Sequence, residues 1–465
     1  MDFSRFDKYH KVLLAAALLI ALLTYWRFRE IDVSEAYSYV AQQNVIHPIL
    51  QQSFARIASF ETRSMVWDFF GLLGRTFVPD SIIVVRLAGL LLTVLNYFLL
   101  TRLLNQILDQ RFWGFLGVFL VSLSPFMTVA AVSGLPAASA VTITLLYLIA
   151  LYKNQYVFAG MLSGIGVAAN LPGLIMFLIL VLDLLQNSLT GDLRAAGKKK
   201  IIREILSSAA GFLGVILVVF LYSAYAGTAR LSSVPLQERD VPWSLLGAVP
   251  LVVVGIVDIA GIIYLIAARR FDICRIHFHT LMLWISFGAL CVVQPTVLNL
   301  STAFIVSSLL AVYFVRGFAS IWNLKFLSVE TFVFLFVVSF LFSDIYANNR
   351  FLGEKVLADC REKTQAVNEL IDSLKTVDDD SQIVSNFAPS ELSVRLVKPV
   401  LEINGEPFPL ENVNIPGRKT IYIVDKISKV DSSYRGCKLL VRTNYEFEGH
   451  EHFVEVIQCE GMSNE

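Results

Sequence analysis

Long apolar runs alternate with short polar links over roughly the first 350 residues. The first run, "KVLLAAALLIALLTYWRF" (11–28), approaches the ~20 apolar residues that a membrane helix needs. Tyr25 and Trp26 stand near its end, where aromatic rings anchor a span at the lipid–water interface. The same pattern predicts spans near 82–104, 112–130, 134–152, 156–170, 171–186, 206–226, 244–268, 279–294, 296–315 and 327–346. That makes about eleven in all. The 156–186 stretch reads as two short spans, because Asn170-Leu171-Pro172-Gly173 interrupts it.

Two parts of the chain depart from this rhythm. Between the first two spans, 29–80 carries "HPILQQSFARIASFETRSMVWDFFGLLGRTF" (47–77), which sets apolar residues at helical spacing among Arg56, Arg63, Asp68 and Arg75. It predicts helices lying along the membrane surface. After residue 350 the period changes again. "EKVLADCREKTQAVNELIDSLK" (354–375) is an amphipathic helix, and "PSELSVRL" (389–396) a helical turn. "SQIVSNF" (381–387) and "KTIYIVD" (419–425) are strands, and 437–458 is two strands about Glu448-Gly449. The expected architecture is an all-α polytopic membrane region over 1–350, including the 29–80 loop, followed by a small α/β domain over 351–465.

Composition agrees with lipid burial. The chain is 56% hydrophobic and only 16% charged, with a mean hydropathy of +0.64, against about 25% charged for a soluble domain. The net charge is zero, so nothing indicates a nucleic-acid partner. Where the charges sit is informative. Arg5, Lys8 and Lys11 precede the first span, and "GDLRAAGKKKIIRE" (191–204), "ARRFDICRIH" (268–277) and "RGFASIWNLK" (316–325) are basic links. With eleven spans all of them fall on one side, which the positive-inside rule makes cytoplasmic. The 29–80 loop and the C-terminal domain are then outside, in a cell membrane or an endoplasmic-reticulum membrane.

Five cysteines do not make a disulfide scaffold. Cys437 and Cys459 are either free thiols or, in an oxidising compartment, a bridge. There is no metal-ligand spacing and no glycine-rich phosphate loop. No cofactor is indicated, and a divalent metal has no ligand cluster to support it.

Candidate chemistry gathers just past the first span. Asp32 and Glu35 are three apart, so on a helical turn they share a face. Arg86 lies inside an apolar run, where a charge is costly and functional by default. Its guanidinium could grip phosphate; the alternatives are an ion pair with Asp32, Glu35 or Asp68, or snorkelling to the interface. His47 either assists acid–base chemistry or fixes the turn before Pro48. The acids could equally be solvated groups after a helix end. His450 and His452 share a strand face, but two histidines make a weak metal site, and they read as surface residues.

Several words in this layout resemble the GT-C superfamily of membrane glycosyltransferases, in its protein O-mannosyltransferase and aminoarabinose transferase branch. "DVSEAYSYVA" (32–41) is similar to the first-loop "DE…Y…A" word, and "HPIL" (47–50) to "HPPL". "PDSIIVVRLAGLLLTVLNYFLLTRLL" (79–104) and "NQYVFAGMLSGIGVAANLPGLIMF" (154–177) resemble two family spans. "SQIVSNFAPSELSVRL" (381–396) resembles the start of the outer domain. The resemblance implies transfer of a sugar from a polyprenyl-phosphate donor to an extracytoplasmic protein, lipid or glycan. It implies Glu35 and Asp32 as catalytic residues, and Arg86, His47, Tyr37 and Arg63 as substrate-binding ones. Three departures stand out: the family's adjacent acids are here separated, with Ser34 before Glu35 and Asp32 further back; the link 124–139 holds no acid; and Asn170 stands where relatives carry lysine. They keep open a second reading, a non-catalytic lipid-glycan binder or assembly partner. A transporter or flippase is a third, disfavoured by the long 29–80 loop and the outer domain.

Overall fold

The computed structural model describes residues 10–27, 82–108, 111–122, 135–168, 173–190, 198–225, 279–286, 306, 312, 354–375, 381–388, 392, 396, 400–402, 419–427, 437–447 and 450–459. The first part is helical: α1 (His10–Arg27), α2 (Ile82–Leu108), α3 (Arg111–Ser122), α4 (Leu135–Tyr152), α5 (Tyr156–Ala168), α6 (Gly173–Thr190) and α7 (Lys198–Tyr225), with a further helical segment at 279–286. The expected spans at 244–268 and 327–346, and most of 296–315, lie outside the described residues. So does the 29–80 loop.

α2 shows why these runs form a bundle. Leu90, Thr93, Tyr97, Leu100, Leu104 and Ile107 are buried at three- and four-residue spacing, while Leu91, Leu95 and Phe98 are exposed on the other side. An exposed apolar side on a helix of this length suits hydrocarbon, not water. Gly89–Ile107 and Lys199–Leu221 are each long and apolar enough to cross a membrane.

Small residues set the spacing between helices. A Cβ on Gly114 would fall on the Asn105 side chain and the Thr101 carbonyl, which is how α3 lies so close to α2. Gly160 packs on the Ser208 backbone and Gly164 on the Phe212 carbonyl, joining α5 to α7. The α4–α5 corner is tight. Asn154 takes φ 56°, and the N–H groups of Asn154 and Gln155 donate to the carbonyls of Leu151 and Ala150 at 3.0 and 2.9 Å. Asparagine tolerates this left-handed turn better than most side chains do.

The C-terminal part is one helix on a mixed sheet. α8 (Glu354–Leu374) precedes β1 (Gln382–Ser385), β2 (Val400–Glu402), β3 (Thr420–Lys426), β4 (Cys437–Phe447) and β5 (His450–Cys459). The sheet order is β2-β1-β3-β5-β4; β1 is parallel to β2 and β3, and β5 is antiparallel to β3 and β4. Ala366, Val367, Leu370, Ile371 and Leu374 of α8 bury their stripe against Ile383, Val400, Ile421, Ile423, Val454 and Val456. The alternate residues Val384, Tyr422, Val424 and Ile457 form a second buried cluster on the other sheet face.

Cys437 and Cys459 are directly paired across β4 and β5, with Cα atoms 4.2 Å apart, and they form a disulfide. Of the two alternatives left open by the sequence, the structure takes the bridge. Among the described residues, β2 is the one strand the pattern did not predict. It is a three-residue edge strand just after Pro399, too short to show alternation.

Candidate functional site

Asp32, Glu35, Tyr37, His47 and Arg63 lie outside the described residues. Arg86 belongs to α2, on its second turn. Hydrogen bonds between α2 and α4 fix how far that turn projects. Asn96 donates to the Ala138 carbonyl at 2.8 Å and accepts from Thr142 at 2.7 Å, and Tyr152 donates to the Gln106 carbonyl at 2.7 Å. The two helices therefore run parallel. By the Thr142 and Tyr152 contacts, the start of α4 at Leu135 is level with Gly89. Arg86 thus stands about 5 Å beyond the start of α4, at the rise per residue of a helix. It belongs to the part of α2 that overreaches the start of α4.

Asn96 itself is fully buried, and its amide ties two helices in an apolar setting. Such a contact is worth about 0.6–2 kcal/mol between membrane helices. It holds α2 in place beneath Arg86.

A second polar feature is deeper. Asp183 of α6 and His279 of the segment 279–286 are hydrogen-bonded partners, with Asp183 fully buried and His279 nearly so. Tyr147 of α4 donates to the Met176 carbonyl on the same helix as Asp183. The sequence did offer a signal, a lone acid within the apolar run 173–190. It did not show the partner, which lies 96 positions away.

The C-terminal sheet carries a third cluster, at the carboxyl ends of β1 and β3. Asn386 follows β1 directly. Its side chain accepts from the Asp425 N–H at 2.7 Å and donates to the Asp425 carbonyl at 3.2 Å, prolonging the β1–β3 ladder by one rung. The Asp425 carboxylate accepts from the Tyr445 hydroxyl at 2.8 Å and pairs with His452 Nδ1 at 3.1 Å. The Tyr445 and His452 rings stack 4.9 Å apart. His452 is therefore not the surface residue that strand alternation predicts: its side chain is 15% exposed. His450, at the start of β5, is exposed as expected. Among the described residues no three His, Cys, Asp or Glu side chains come together as a metal site.

On the opposite face, Glu455 is enclosed between Lys426, at 2.8 Å, and Arg442. Burial pushes its carboxyl up. The hydrogen bonds and charges of Lys426 and Arg442 outweigh that and hold it below the ordinary value of 4.5.

No family model matches the chain, and no curated protein matches it by sequence. Solved structures do. ArnT from Cupriavidus metallidurans bound to undecaprenyl phosphate superimposes with a TM-score of 0.54 and 12% identity, covering 96% of this chain and 98% of that one. ArnT from the same organism in the apo state gives a TM-score of 0.51 and 12% identity, over 94% and 97% of the two chains. At this identity the likeness is one of fold, and it runs nearly end to end: the chain has an ArnT-like fold, mostly helical with a small C-terminal sheet.

Proposed function

We propose that this chain is a membrane glycosyltransferase that takes a sugar from a polyprenyl-phosphate carrier and passes it to an acceptor outside the cytoplasm. The observation that carries the reading is the fold likeness to ArnT over 96% of the chain, in a structure that holds undecaprenyl phosphate. The words quoted from 32–50 and 79–104 point the same way independently of the fold. So does the disulfide, because such bridges persist in oxidising compartments and the C-terminal sheet would be outside.

The chemistry needs three parts. As the acceptor bonds to the anomeric carbon, the bond from that carbon to phosphate oxygen breaks, and the polyprenyl phosphate departs. A base takes the acceptor's proton, and Glu35 or Asp32 serves as that base. Arg86 offsets the negative charge on the leaving phosphate, with His47, Tyr37 and Arg63 as further substrate contacts. Exposed apolar helix surface meets the polyprenyl tail. The acceptor is a protein, lipid or glycan. No cofactor is assigned; a divalent metal would have to be shown by chelation.

The test is transfer of labelled sugar from a polyprenyl-phosphate donor by the purified chain. Glu35→Gln or Asp32→Asn should lower turnover by about a hundredfold or more, the low end for a positioned acid–base group. Arg86→Ala should weaken donor binding, and Arg86→Lys should restore it only in part, because an ammonium keeps the charge and loses the fork. Full activity in both acid variants would sink the catalytic assignment. A second reading, a non-catalytic lipid-glycan binder, is favoured by the acid-free link 124–139 and by Asn170. It predicts that the wild type retains donor lipid and never transfers the sugar.

A further inference from the structure

The α5–α7 pair is built with its two helices parallel and in a fixed register. Gly160 meets Ser208 and Gly164 meets Phe212, an offset of 48 residues at both contacts. The contacts are between backbones, so the register cannot drift without moving a whole turn. Carried back to the start of the pair, the offset sets Lys153, in the tight α4–α5 corner, level with Ile201. Lys199, Lys200 and Arg203 lie in the first two turns of α7 at that same level. All four basic side chains are exposed, and the acid among them, Glu204, is partly buried.

Beyond this basic band the surface becomes apolar at once. Ile202, Leu206, Leu213 and Leu217 are exposed on α7 at spacings that place them on one side of the helix. Lys199 and Arg203, four apart, fall toward that same side. On α5, Val157, Phe158 and Met161 are exposed just past Lys153. The sequence pattern starts this span near 206, yet the helix starts at Lys198. The basic residues are thus held on rigid helix one to two turns before the apolar run, at the depth of lipid headgroups.

We propose that the start of α7 is a binding site for an anionic glycerophospholipid, with the phosphate headgroup on Lys199 and Arg203 and the acyl chains along the exposed apolar side of α7 toward which those two residues fall. The charge is complementary, the amide groups at the helix start add partial positive charge, and the apolar stripe continues directly from the charged turn. A zwitterionic lipid offers the same chains and no net charge, so it defines the control. The site is separate from the sugar-transfer reading and does not depend on it.

The full-length chain, reconstituted with equal dioleoyl-phosphatidylglycerol and dioleoyl-phosphatidylcholine, is released for native mass spectrometry and the retained lipids are counted. The wild type should retain phosphatidylglycerol preferentially. Each charge removed by Lys199→Gln or Arg203→Gln should reduce the preference by about fivefold, as expected for one basic residue near an anionic surface, whereas Lys153→Gln, on the α5 side of the pair, should change it less. Lys199→Arg should keep it, and added salt should weaken it. Equal retention of the two lipids by the wild type, or an undiminished preference in the Lys199→Gln, Arg203→Gln double variant, would overturn the proposal. The substituted residues are all exposed, so loss of folding does not confuse the reading. No sugar transfer is measured, so failure here leaves the proposed enzyme untouched and the reverse also holds.

Discussion

Glu455 is almost enclosed in the sheet yet favours its charged form, because Lys426 and Arg442 sit on either side of it. Its folded pKa lies below the unfolded value, so its contribution to stability is complete above about pH 4.5 and is lost as pH falls through the lower folded value. Glu455→Gln leaves two cations facing a neutral amide. The cost should be about 2 kcal/mol, less than the ~3–5 of a fully buried pair, since Arg442 is partly exposed. Pulse proteolysis of the purified full-length chain over a urea series checks both points: the variant should be less stable at neutral pH, and its deficit should shrink toward about pH 3. An equal deficit at both pH values would remove the charge argument. Single residues were the hardest part to read from sequence. Asp183 was visible as an acid in an apolar run, but His279 only becomes its partner once helices far apart in the chain are packed together. In the sequence His452 looks like a surface residue, because alternation gives a face and says nothing about what stands across it; Asp425 and Tyr445 come from other strands.

Elements were far more legible, for a physical reason: apolar period and breaker residues are local. Glu354–Leu374, Leu135–Tyr152 and the hairpin strands Cys437–Phe447 and His450–Cys459 lie within a residue or two of the pattern's limits. α7 differs most, since a basic run looks like a link and is helix nonetheless; lysine and arginine are good helix formers. Helix pairing is what the pattern cannot show, and here glycine decides it. Gly160→Leu would drive its side chain into the Ser208 backbone, which has no flexible end to move. It should cost about 1–3 kcal/mol and lower the thermal midpoint of the detergent-purified chain. Gly214→Ala is the matched control, because nothing lies within 4 Å of the position and alanine favours helix. Its midpoint should stay or rise. If both variants fall equally, the close α5–α7 contact is not what glycine is there to permit.

At the scale of the whole molecule, the proposed outside location of the C-terminal sheet draws on both charge asymmetry and the disulfide, and these rest on unrelated physics. Impermeant maleimide on intact cells tests them together. Cys437 and Cys459 should resist labelling until a reductant is added and then react, while Cys274 stays unlabelled throughout. Labelling of Cys274 alone would invert the orientation. The order of β2-β1-β3-β5-β4 was not legible from sequence, because nothing local tells β5 to lie between β3 and β4. The paired cysteines have a consequence of their own for that sheet. β4 and β5 are joined at one end by the chain turn and at the other by sulfur, so the hairpin is a closed covalent loop. It contains one irregularity, the extra residue between Leu439 and Val441. In an open hairpin such a bulge can migrate, as one strand slides past the other and every side chain changes face. In a closed loop it cannot leave by the free end, because there is none. The bridge therefore acts as a lock on registration, keeping Arg442 opposite Glu455 and Tyr445 opposite His452 for as long as the thiols remain oxidised.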